Sequence, residues 1–245
     1  MSLAVAAGAE AAAPAHWSPD VSAARRYVAH RGGDVSFAVR TERRMWGYRR
    51  VRVVPAASVL KAMLMVSYLN RREVRDRRLR DRDLRLLRPM IRRSDNATAS
   101  YIRNLVGNRG LRRLARRVGM RRFTPVAHPW GMSLVNAADQ TRFFLRLERF
   151  VPERHRRRAL RLLHSIVPSQ RWGVAKVVPR HWDVYFKGGW GSGTGAVDHQ
   201  VALLRRGPLR VAVAVMTTSN GSHAYGKATL RGVFSRLLRG LSRVQ

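Results

Sequence analysis

A serine and a lysine three residues apart begin a helical pattern in a chain that otherwise relies on arginine for positive charge. They are Ser58 and Lys61, in the segment AASVLKAMLM. A serine hydroxyl is a weak nucleophile unless a neighbouring group takes its proton, and residues three apart on a helix share a face. A buried lysine loses hydration, which lowers its pKa and allows it to act as a base. The pair is therefore a candidate nucleophile and base, although a lysine extending out of a core helix would give the same pattern.

Two later segments contain polar residues suited to the same chemistry. RRSDNATASYI puts Ser94, Asp95 and Asn96 at a helix start, where a hydroxyl can relay a proton and an amide can hold a substrate. These residue types are equally good helix caps. VYFKGGWGSGTG puts Lys187 on a strand followed by glycines, where a ligand can approach the backbone closely. The alternative there is a plain strand that runs into a loop.

The predicted elements run in the order helix, strands, helical block, strands, helix. The first helix lies in SPDVSAARRYVAHRGG, with Ser18 as its N-cap candidate, and DVSFAVRTE and YRRVRVVP form a hairpin or meander. Residues 58–172 are mainly helical, two strands join at residues 205–208, and HAYGKATLRGVFSRLLRGL is a final helix. Strands from both ends of the chain must meet in one sheet. We therefore expect an α+β (α/β) fold, an antiparallel sheet with the N- and C-terminal helices on one face and an inserted all-helical lobe.

Composition excludes some classes of protein and leaves the partner open. The absence of cysteine excludes a disulfide scaffold, a thiolate zinc site and a cysteine nucleophile, and we expect neither a metal nor a cofactor. The net charge of +35 comes from 49 basic and 14 acidic residues, and 45 of the basic residues are arginine. Such a charge attracts polyanions, including an anionic cell envelope, but the arginines are spread from Arg25 to Arg243, as on solvated faces. We expect no specific nucleic-acid site.

The first 15 residues form an alanine-rich leader that ends in an A-x-A-like site at residues 13–15. It lacks a basic start, and Glu10 interrupts its apolar run, so it is not a complete signal peptide. One interpretation is the remnant of a signal peptide, which predicts an extracytoplasmic or secreted protein. The other is a leader without function.

Together the three chemical segments resemble the serine β-lactamase and penicillin-binding protein superfamily, and class A β-lactamases most closely. The resemblance is carried by S-x-x-K at residues 58–61, S-D-N at 94–96 and K-G-G at 187–189, in that order. It implies a single β-lactamase-like domain over residues 16–245. Within it, the expected sheet lobe comprises residues 16–57 and 180–245, and the expected helical lobe comprises residues 58–179.

The resemblance implies a catalytic role for four residues. Ser58 would be the acylated nucleophile and Lys61 its proton acceptor. Ser94 would pass a proton to a leaving nitrogen. Lys187 would supply positive potential beside Ser94 and a substrate carboxylate.

Substrate contacts follow from the same resemblance. Asn96 would contact a substrate amide, and Gly188 and Gly189 would line the strand along which the substrate binds. The backbone N–H groups of Ser58 and Trp190 would form an oxyanion hole, in which the loss of one donor costs about 3–4 kcal/mol.

The sequence departs from the family pattern in three places. The loop after S-D-N has no glutamate to activate the deacylating water; its only carboxylate is Asp139, and His128 is a weak substitute. Gly188 stands where the family usually has threonine or serine, which leaves Ser192, Thr194 or an arginine to bind a substrate carboxylate. Only 36 residues separate the nucleophile from the S-D-N motif, which implies a smaller lobe and a more open cleft.

The resemblance implies a serine hydrolase of class A β-lactamase type, with an acyl-enzyme on Ser58 and impaired deacylation. Its substrates would be β-lactams or peptidoglycan-like acyl-D-alanine amides. One alternative is a D,D-peptidase or esterase of the penicillin-binding family, which uses Lys61 in both half-reactions. An alternative from another class is a non-catalytic, basic protein that keeps the fold and binds the cell envelope or another polyanion. We expect a monomer.

Overall fold

The structure is a computed structural model that describes residues 17–244, so the predicted leader at residues 1–15 lies outside the described residues. Within this range the chain forms nine α-helices and seven strands. In chain order they are α1 (Val21–Ala29), β1 (Asp34–Arg40), β2 (Met45–Tyr48), β3 (Val54–Pro55), α2 (Leu60–Leu69), α3 (Arg72–Arg75), α4 (Asp81–Arg92), α5 (Asn96–Val118), β4 (Leu134–Val135), α6 (Ala137–Leu145), α7 (Leu147–Phe150), α8 (Glu153–His164), β5 (Asp183–Gly191), β6 (Val197–Arg206), β7 (Leu209–Thr218) and α9 (His223–Leu237).

Five strands form one antiparallel sheet in the order β2-β1-β7-β6-β5. The N-terminal strand β1 pairs along its whole length with the C-terminal strand β7, from Asp34 opposite Thr218 to Arg40 opposite Ala212. β6 and β7 are joined by a tight turn at Gly207 and Pro208. The predicted sheet built from both ends of the chain is therefore confirmed, and β5 lies at its edge.

Helices cover both faces of the sheet. Strand β7 is buried along nearly its whole length, as expected of a strand with both faces covered. The helices α1 and α9 pack together, and α9 contacts β6 and β7. The helix α6, with Phe143 and Phe144 fully buried, packs against β1, β6 and β7. The helix α8 also packs against β5. Because α6 and α8 lie within residues 58–179, the segment predicted as a helical lobe includes helices that pack against the sheet.

Two local predictions are wrong. The N-cap of α1 is Asp20 rather than Ser18, because the Asp20 carboxylate accepts a hydrogen bond from the Ala23 N–H at 2.8 Å and also interacts favourably with the helix dipole. The second strand of the first hairpin is β2, which ends before most of the predicted segment YRRVRVVP. The chain turns at Arg49, whose φ is 44°, and only Val54–Pro55 of that segment is extended.

The helix α2 is the centre of the molecule. All ten of its residues are buried, and it contacts α4, α5, α8 and β5. A helix that is apolar on all sides fits only in the interior. Lys61 is its one charged residue. Across residues 17–244, no helix combines the length and the apolar character that a membrane crossing requires.

A buried carboxylate links α2 to α4. Asp83, with no exposed surface, accepts hydrogen bonds from the Tyr68 hydroxyl at 2.7 Å and from Arg77 Nη1 at 2.6 Å. The backbone N–H of Arg80 donates a third, at 2.7 Å. Burial alone would raise the pKa of Asp83, but hydrogen bonds from Arg77 and Tyr68 outweigh it and lower that pKa. The charged carboxylate therefore stabilises the folded state.

Replacing Asp83 by asparagine should destabilise the protein by about 3 kcal/mol, because the partly buried Arg77 would lose its charged partner. Urea unfolding measures the change. The control is Glu153→Gln, which removes a carboxylate that is 88% exposed and 3.8 Å from Arg156, and should change the stability by less than about 0.5 kcal/mol. Equal effects of the two substitutions would contradict this account of Asp83.

Candidate active site

Ser58 lies on a short 3-10 turn, Ala57–Val59, that leads directly into α2. Ala57 has φ of 44°, in the left-handed region that few residues other than glycine adopt. The preceding strand β3 pairs with β4, and the Ala56 N–H donates to the Ser133 carbonyl at 2.7 Å. These contacts fix the chain immediately before Ser58, whose residue surface is only 9% exposed.

A buried histidine also holds this segment against the sheet. His199 of β6 is fully buried, and burial lowers its pKa to about 4, so its ring is neutral. The Thr217 N–H donates to Nδ1 at 3.1 Å, which leaves the proton on Nε2, and Nε2 donates to the Pro55 carbonyl at 2.9 Å. The sheet is thereby joined to the residue three positions before Ser58.

Lys61 directs all three of its N–H donors at the segment that begins α5. Its Nζ donates to Ser94 Oγ at 3.1 Å, to Asn96 Oδ1 at 2.8 Å and to the Ser94 carbonyl. The side chain is completely buried, and burial lowers the pKa of Lys61 to about 7, against the opposing effect of the Asp95 carboxylate. A group with this pKa is neutral in an appreciable fraction of molecules near pH 7, as a general base must be.

The Ser94 hydroxyl also accepts a hydrogen bond from Lys187 Nζ, at 3.0 Å. Both lysine nitrogens bond to this one oxygen, so they lie no more than about 6 Å apart. Burial, and then the positive charge of Lys61, lower the pKa of Lys187 well below its ordinary value. Lys187 Nζ donates a second bond to the Gly188 carbonyl at 2.8 Å.

Glycines allow β5 to approach the turn that carries Ser58. A Cβ atom on Gly189 would lie 2.8 Å from the Ser58 nitrogen and 2.7 Å from the Val59 nitrogen, closer than any side chain tolerates. Only glycine therefore permits this contact. A Cβ on Gly188 would instead meet the Trp172 ring at 3.2 Å. Ser58 thus lies directly against the strand that carries Lys187.

Two backbone N–H groups are free at the predicted oxyanion hole. Within residues 17–244 the Ser58 N–H has no backbone acceptor. Trp190 is paired with Asp198 of β6, and Asp198 directs both its N–H and its carbonyl at the Thr217 hydroxyl of β7. A residue whose backbone groups point to one neighbouring strand cannot pair with the other. The Trp190 N–H is therefore left without a partner in the sheet.

The structure brings together most, but not all, of the predicted groups. Lys61, Ser94, Asn96 and Lys187 share one hydrogen-bond network, but within residues 17–244 the Ser58 hydroxyl makes no hydrogen bond to either lysine. The amide oxygen of Asn96 accepts from Lys61, which leaves the NH₂ group of Asn96 for the predicted contact with a substrate amide.

The loop between α5 and α6 contains no carboxylate free to act as a base. Asp139 accepts hydrogen bonds from the backbone N–H groups of Arg121 and Arg122, both at 3.0 Å, and from the Asn136 amide at 2.8 Å. Its role is therefore to hold the loop. His128 is exposed and makes no hydrogen bond within the described residues. Neither Asp139 nor His128 is therefore identified as a base that could activate the deacylating water in place of the missing glutamate.

Sequence reasoning missed the aromatic residues around the two lysines. The Trp130 ring centroid lies 5.1 Å from Lys61 Nζ, and Trp130 Nε1 donates to Ser100 Oγ at 3.0 Å. The Trp190 ring lies 5.9 Å from Lys187 Nζ. Indole faces attract ammonium groups, so each lysine has an aromatic neighbour as well as polar acceptors. Trp130 was visible in the sequence only as part of a loop, because its contact with Lys61 spans 69 positions.

Residues 82–239 match the model of a family described as a β-lactamase enzyme family. The match covers more than half of the chain and includes Ser94, Asn96 and Lys187, while Ser58 and Lys61 precede it. The chain belongs to the β-lactamase enzyme family, which confirms the resemblance seen in the sequence. A comparison with curated proteins found no match.

Solved structures of β-lactamases share the fold along almost their entire length. One from Xanthomonas campestris pv. campestris has a TM-score of 0.77 at 17% identity, covering 92% of this chain and 99% of that chain. One from Sphaerobacter thermophilus has a TM-score of 0.76 at 18% identity, covering 91% and 98%. A class A β-lactamase from Mycobacterium abscessus has a TM-score of 0.76 at 16% identity, covering 91% and 99%. The predicted β-lactamase-like fold is therefore confirmed.

The lowered pKa of Lys61 can be measured directly, because the chain has only four lysines. In a carbon-13 NMR titration of lysine side chains, the Lys61 Cε signal should shift with a midpoint near pH 7. Lys61→Met identifies that signal by removing it. Asp95→Asn should lower the midpoint further, because the Asp95 carboxylate favours the charged amine. A Lys61 midpoint near the ordinary value of 10.5 would contradict the buried, desolvated environment described here.

Proposed function

We propose that this protein is a serine hydrolase that forms an acyl-enzyme on Ser58 with β-lactams or related acyl-D-alanine amides. The observation that carries the proposal is the Ser94 hydroxyl, which two buried lysines share beside the Ser58 turn. A binding protein would have no need to bury two amines with lowered pKa values next to a serine on a left-handed turn. The family membership supports the same class of reaction.

Acylation would combine attack on the substrate carbonyl carbon with proton transfers among Ser58, Lys61 and Ser94. The Ser58 oxygen bonds to the substrate carbonyl carbon while neutral Lys61 takes the hydroxyl proton. The free N–H groups of Ser58 and Trp190 stabilise the oxyanion. The carbon–nitrogen bond then breaks, and Ser94 gives its proton to the leaving nitrogen. The lysines replace that proton through the hydrogen bonds they already make to Ser94 Oγ.

Deacylation would be the slow half of the cycle. Water must attack the acyl-enzyme, and a general base typically contributes 10²–10⁴-fold to such a step. Asp139 is occupied by backbone donors, which leaves the lysines of the site, Lys61 above all, as the basic groups identified beside Ser58 within residues 17–244. A D,D-peptidase or esterase that uses Lys61 in both half-reactions is the alternative within the same mechanism.

A fluorescent penicillin should label the protein covalently at Ser58, as read by intact-protein mass spectrometry. A typical enzyme turns over about 10 times per second, so the loss of a dedicated base predicts an adduct lifetime between about ten seconds and about a quarter of an hour. Ser58→Ala should abolish labelling. Comparing the hydrolysis of a chromogenic cephalosporin, a D-Ala-D-Ala peptide and a short ester then separates β-lactamase, peptidase and esterase.

Ser67→Ala is the matched control for Ser58→Ala. Ser67 lies on α2, is buried, and has a hydroxyl without a hydrogen-bond partner in the described residues, so its removal should leave labelling intact. Absence of any adduct on Ser58, or clearance of the adduct within milliseconds, would argue against the proposed chemistry.

A second candidate function, polyanion binding, is favoured by a surface we call the arginine groove. Two adjoining cavities of about 610 and 510 Å³ meet at Leu84 where α4 packs against α8. The arginines that line them are Arg78, Arg85, Arg88, Arg92, Arg93, Arg154, Arg157, Arg158 and Arg161. Asp81 is the one acidic residue in the lining. Guanidinium groups gathered in this way bind phosphates and carboxylates.

Most of these guanidinium groups are available for a ligand. Within residues 17–244, Arg92 and Arg154 donate to backbone carbonyls, and the other seven make no hydrogen bond or ion pair. The lining contains no phenylalanine, tyrosine or tryptophan on which nucleic-acid bases could stack. The groove therefore fits an anionic polymer without bases, such as a cell-envelope polymer, and we propose an extracytoplasmic location for a protein that meets it.

Replacing Arg85, Arg88, Arg157 and Arg161 together by glutamine should weaken binding to linear polyphosphate and reduce the steepness of its salt dependence by about 3 units. The control replaces four other exposed arginines that have no hydrogen-bond or ion-pair partner within the described residues, Arg26, Arg43, Arg112 and Arg231. Both variants lose the same charge, so equal weakening would show that net charge alone attracts the polymer. Binding that is unaffected by Ser58→Ala separates this function from acylation.

A further inference from the structure

Beside Lys187 the candidate active site is bordered by a surface we call the indole wall, formed by Trp172, Trp190 and His223. The Trp172 and Trp190 ring centroids lie 5.7 Å apart and nearly perpendicular, at 78°. His223 stacks on Trp190 at 5.7 Å and 24° and meets the edge of Trp172 at 5.5 Å. Both indoles are partly exposed, so the wall is a surface that a ligand can contact.

Trp172 occupies the space of the side chain that Gly188 lacks. A Cβ atom on Gly188 would approach Trp172 Cη2 to 3.2 Å and Cζ2 to 3.4 Å, which is tighter than ordinary van der Waals contact. The family pattern calls for a hydroxyl at this position to bind a substrate carboxylate. In this protein an indole ring stands there instead. One polar donor is thus replaced by an apolar surface.

The backbone, and not only packing, holds Trp172 in this position. Gln200, directly opposite Gly188 in the sheet, donates from Nε2 to the Trp172 carbonyl at 2.7 Å. Its Oε1 accepts from the Val174 N–H at 2.8 Å. Gly173 between them has φ of 65°, and a Cβ there would lie 2.2 Å from Gln200 Oε1. Residues 172–174 are therefore fixed over β6, and the ring is not a mobile surface group.

Across residues 17–244, no guanidinium group at the wall is available to bind an anion. Within the described residues, no arginine lies over either indole. Arg171, which adjoins Trp172 in the chain, lies against Phe186 and donates to the His164 carbonyl. Behind the wall, Asp198 is 2% exposed, accepts from His223 Nδ1 at 2.6 Å and from Asn220 Nδ2 at 3.1 Å, and lies near the charge of Lys227. A substrate carboxylate would thus meet indole rings and the paired His223 and Asp198, rather than an arginine.

Two of the other groups expected to bind a carboxylate are already engaged. Lys187 Nζ uses two donors on Ser94 Oγ and the Gly188 carbonyl, and its side chain has no exposed surface. The Thr194 hydroxyl donates to the Gly191 carbonyl at 3.2 Å, within its own turn. The Ser192 hydroxyl is exposed and has no hydrogen-bond partner among the described residues, but it lies on the turn after β5 rather than on the strand beside Lys187.

We propose that Trp172 is a specificity-determining residue, and that the indole wall selects substrates that present a flat apolar group, rather than a carboxylate, beside Lys187. This inference rests on the proposed acylation of Ser58 and narrows the preferred substrates of that site to β-lactams, amides and esters in which this carboxylate is absent or esterified. Neutral amides and esters with an aromatic or other apolar substituent fit the wall, because ring stacking and apolar contact replace an ionic interaction.

The test compares two substrates with the same reactive ring, a chromogenic cephalosporin with a free carboxylate and its methyl ester. The second-order rate of Ser58 acylation is measured for each with the wild-type protein. The ester should react at least as fast as the acid, whereas a site that hydrogen-bonds a carboxylate loses about tenfold or more without it. A faster reaction of the acid than of the ester overturns the inference while leaving the acylation of Ser58 established. No adduct with either substrate overturns both.

Two variants locate the preference. Trp172→Ala combined with Gly188→Thr removes the ring and restores the hydroxyl, and should shift the acid-to-ester rate ratio towards the acid by about tenfold. Trp172→Phe keeps an aromatic ring and should retain the wild-type ratio. A variant counts as folded if its unfolding midpoint equals that of the wild type. If the double variant does not fold, the acid-to-ester rate ratio of the wild-type protein decides whether the inference holds. A ratio that does not change in a folded double variant overturns the role of Trp172.

Discussion

The chemistry of this protein depends on one oxygen atom shared by two buried amines. Ser94 Oγ accepts hydrogen bonds from Lys61 and Lys187, which come from a central helix and an edge strand respectively. Burial lowers the pKa of both amines, and the charge of Lys61 lowers that of Lys187 further, so both hold their protons weakly. The remaining acceptors, the Asn96 amide and the carbonyls of Ser94 and Gly188, satisfy the N–H groups without adding a negative charge. A weakly held proton in a satisfied network is what proton transfer at neutral pH requires.

The rest of the fold brings together the helix α2 with Lys61, the strand β5 with Lys187, and Ser94 at the start of α5. Pairing of β1 with β7 closes the sheet from both ends of the chain, so that β5 lies at its edge beside the start of α2. Gly189 permits the contact between β5 and the Ser58 turn, and neutral His199 joins β6 to the strand before that turn. Asp83 holds α2 against α4 through Tyr68. Each contact involves residues distant in the sequence, so the site exists only in the folded chain.

The sequence was sufficient to predict the fold class and the order of elements, because these depend on local periodicity and on short motifs. The same motifs predicted a site that contains Lys61, Ser94 and Lys187, which the structure joins in one hydrogen-bond network, while the catalytic roles of these residues stay a prediction. The sequence was not sufficient to predict the indole wall. Trp172 and Gly188 are separated by 16 residues and Trp172 and Gln200 by 28, so no local pattern joins them. The only sign of the indole wall in the sequence was glycine at position 188, where the family usually has threonine or serine. Nothing in the sequence indicated that Lys61, the predicted proton acceptor of Ser58, would direct its N–H groups at Ser94 and Asn96.

Two residues of the candidate site adopt backbone conformations that are energetically unfavourable for most residues other than glycine. Ala57, directly before Ser58, and Ser94 both have φ in the left-handed region, at 44° and 58°. Each such residue costs on the order of 1 kcal/mol relative to glycine or to a relaxed turn. Stability alone would favour glycine or asparagine at both positions, so these two residues give up some stability at the place where the backbone orients the hydroxyl groups of Ser58 and Ser94.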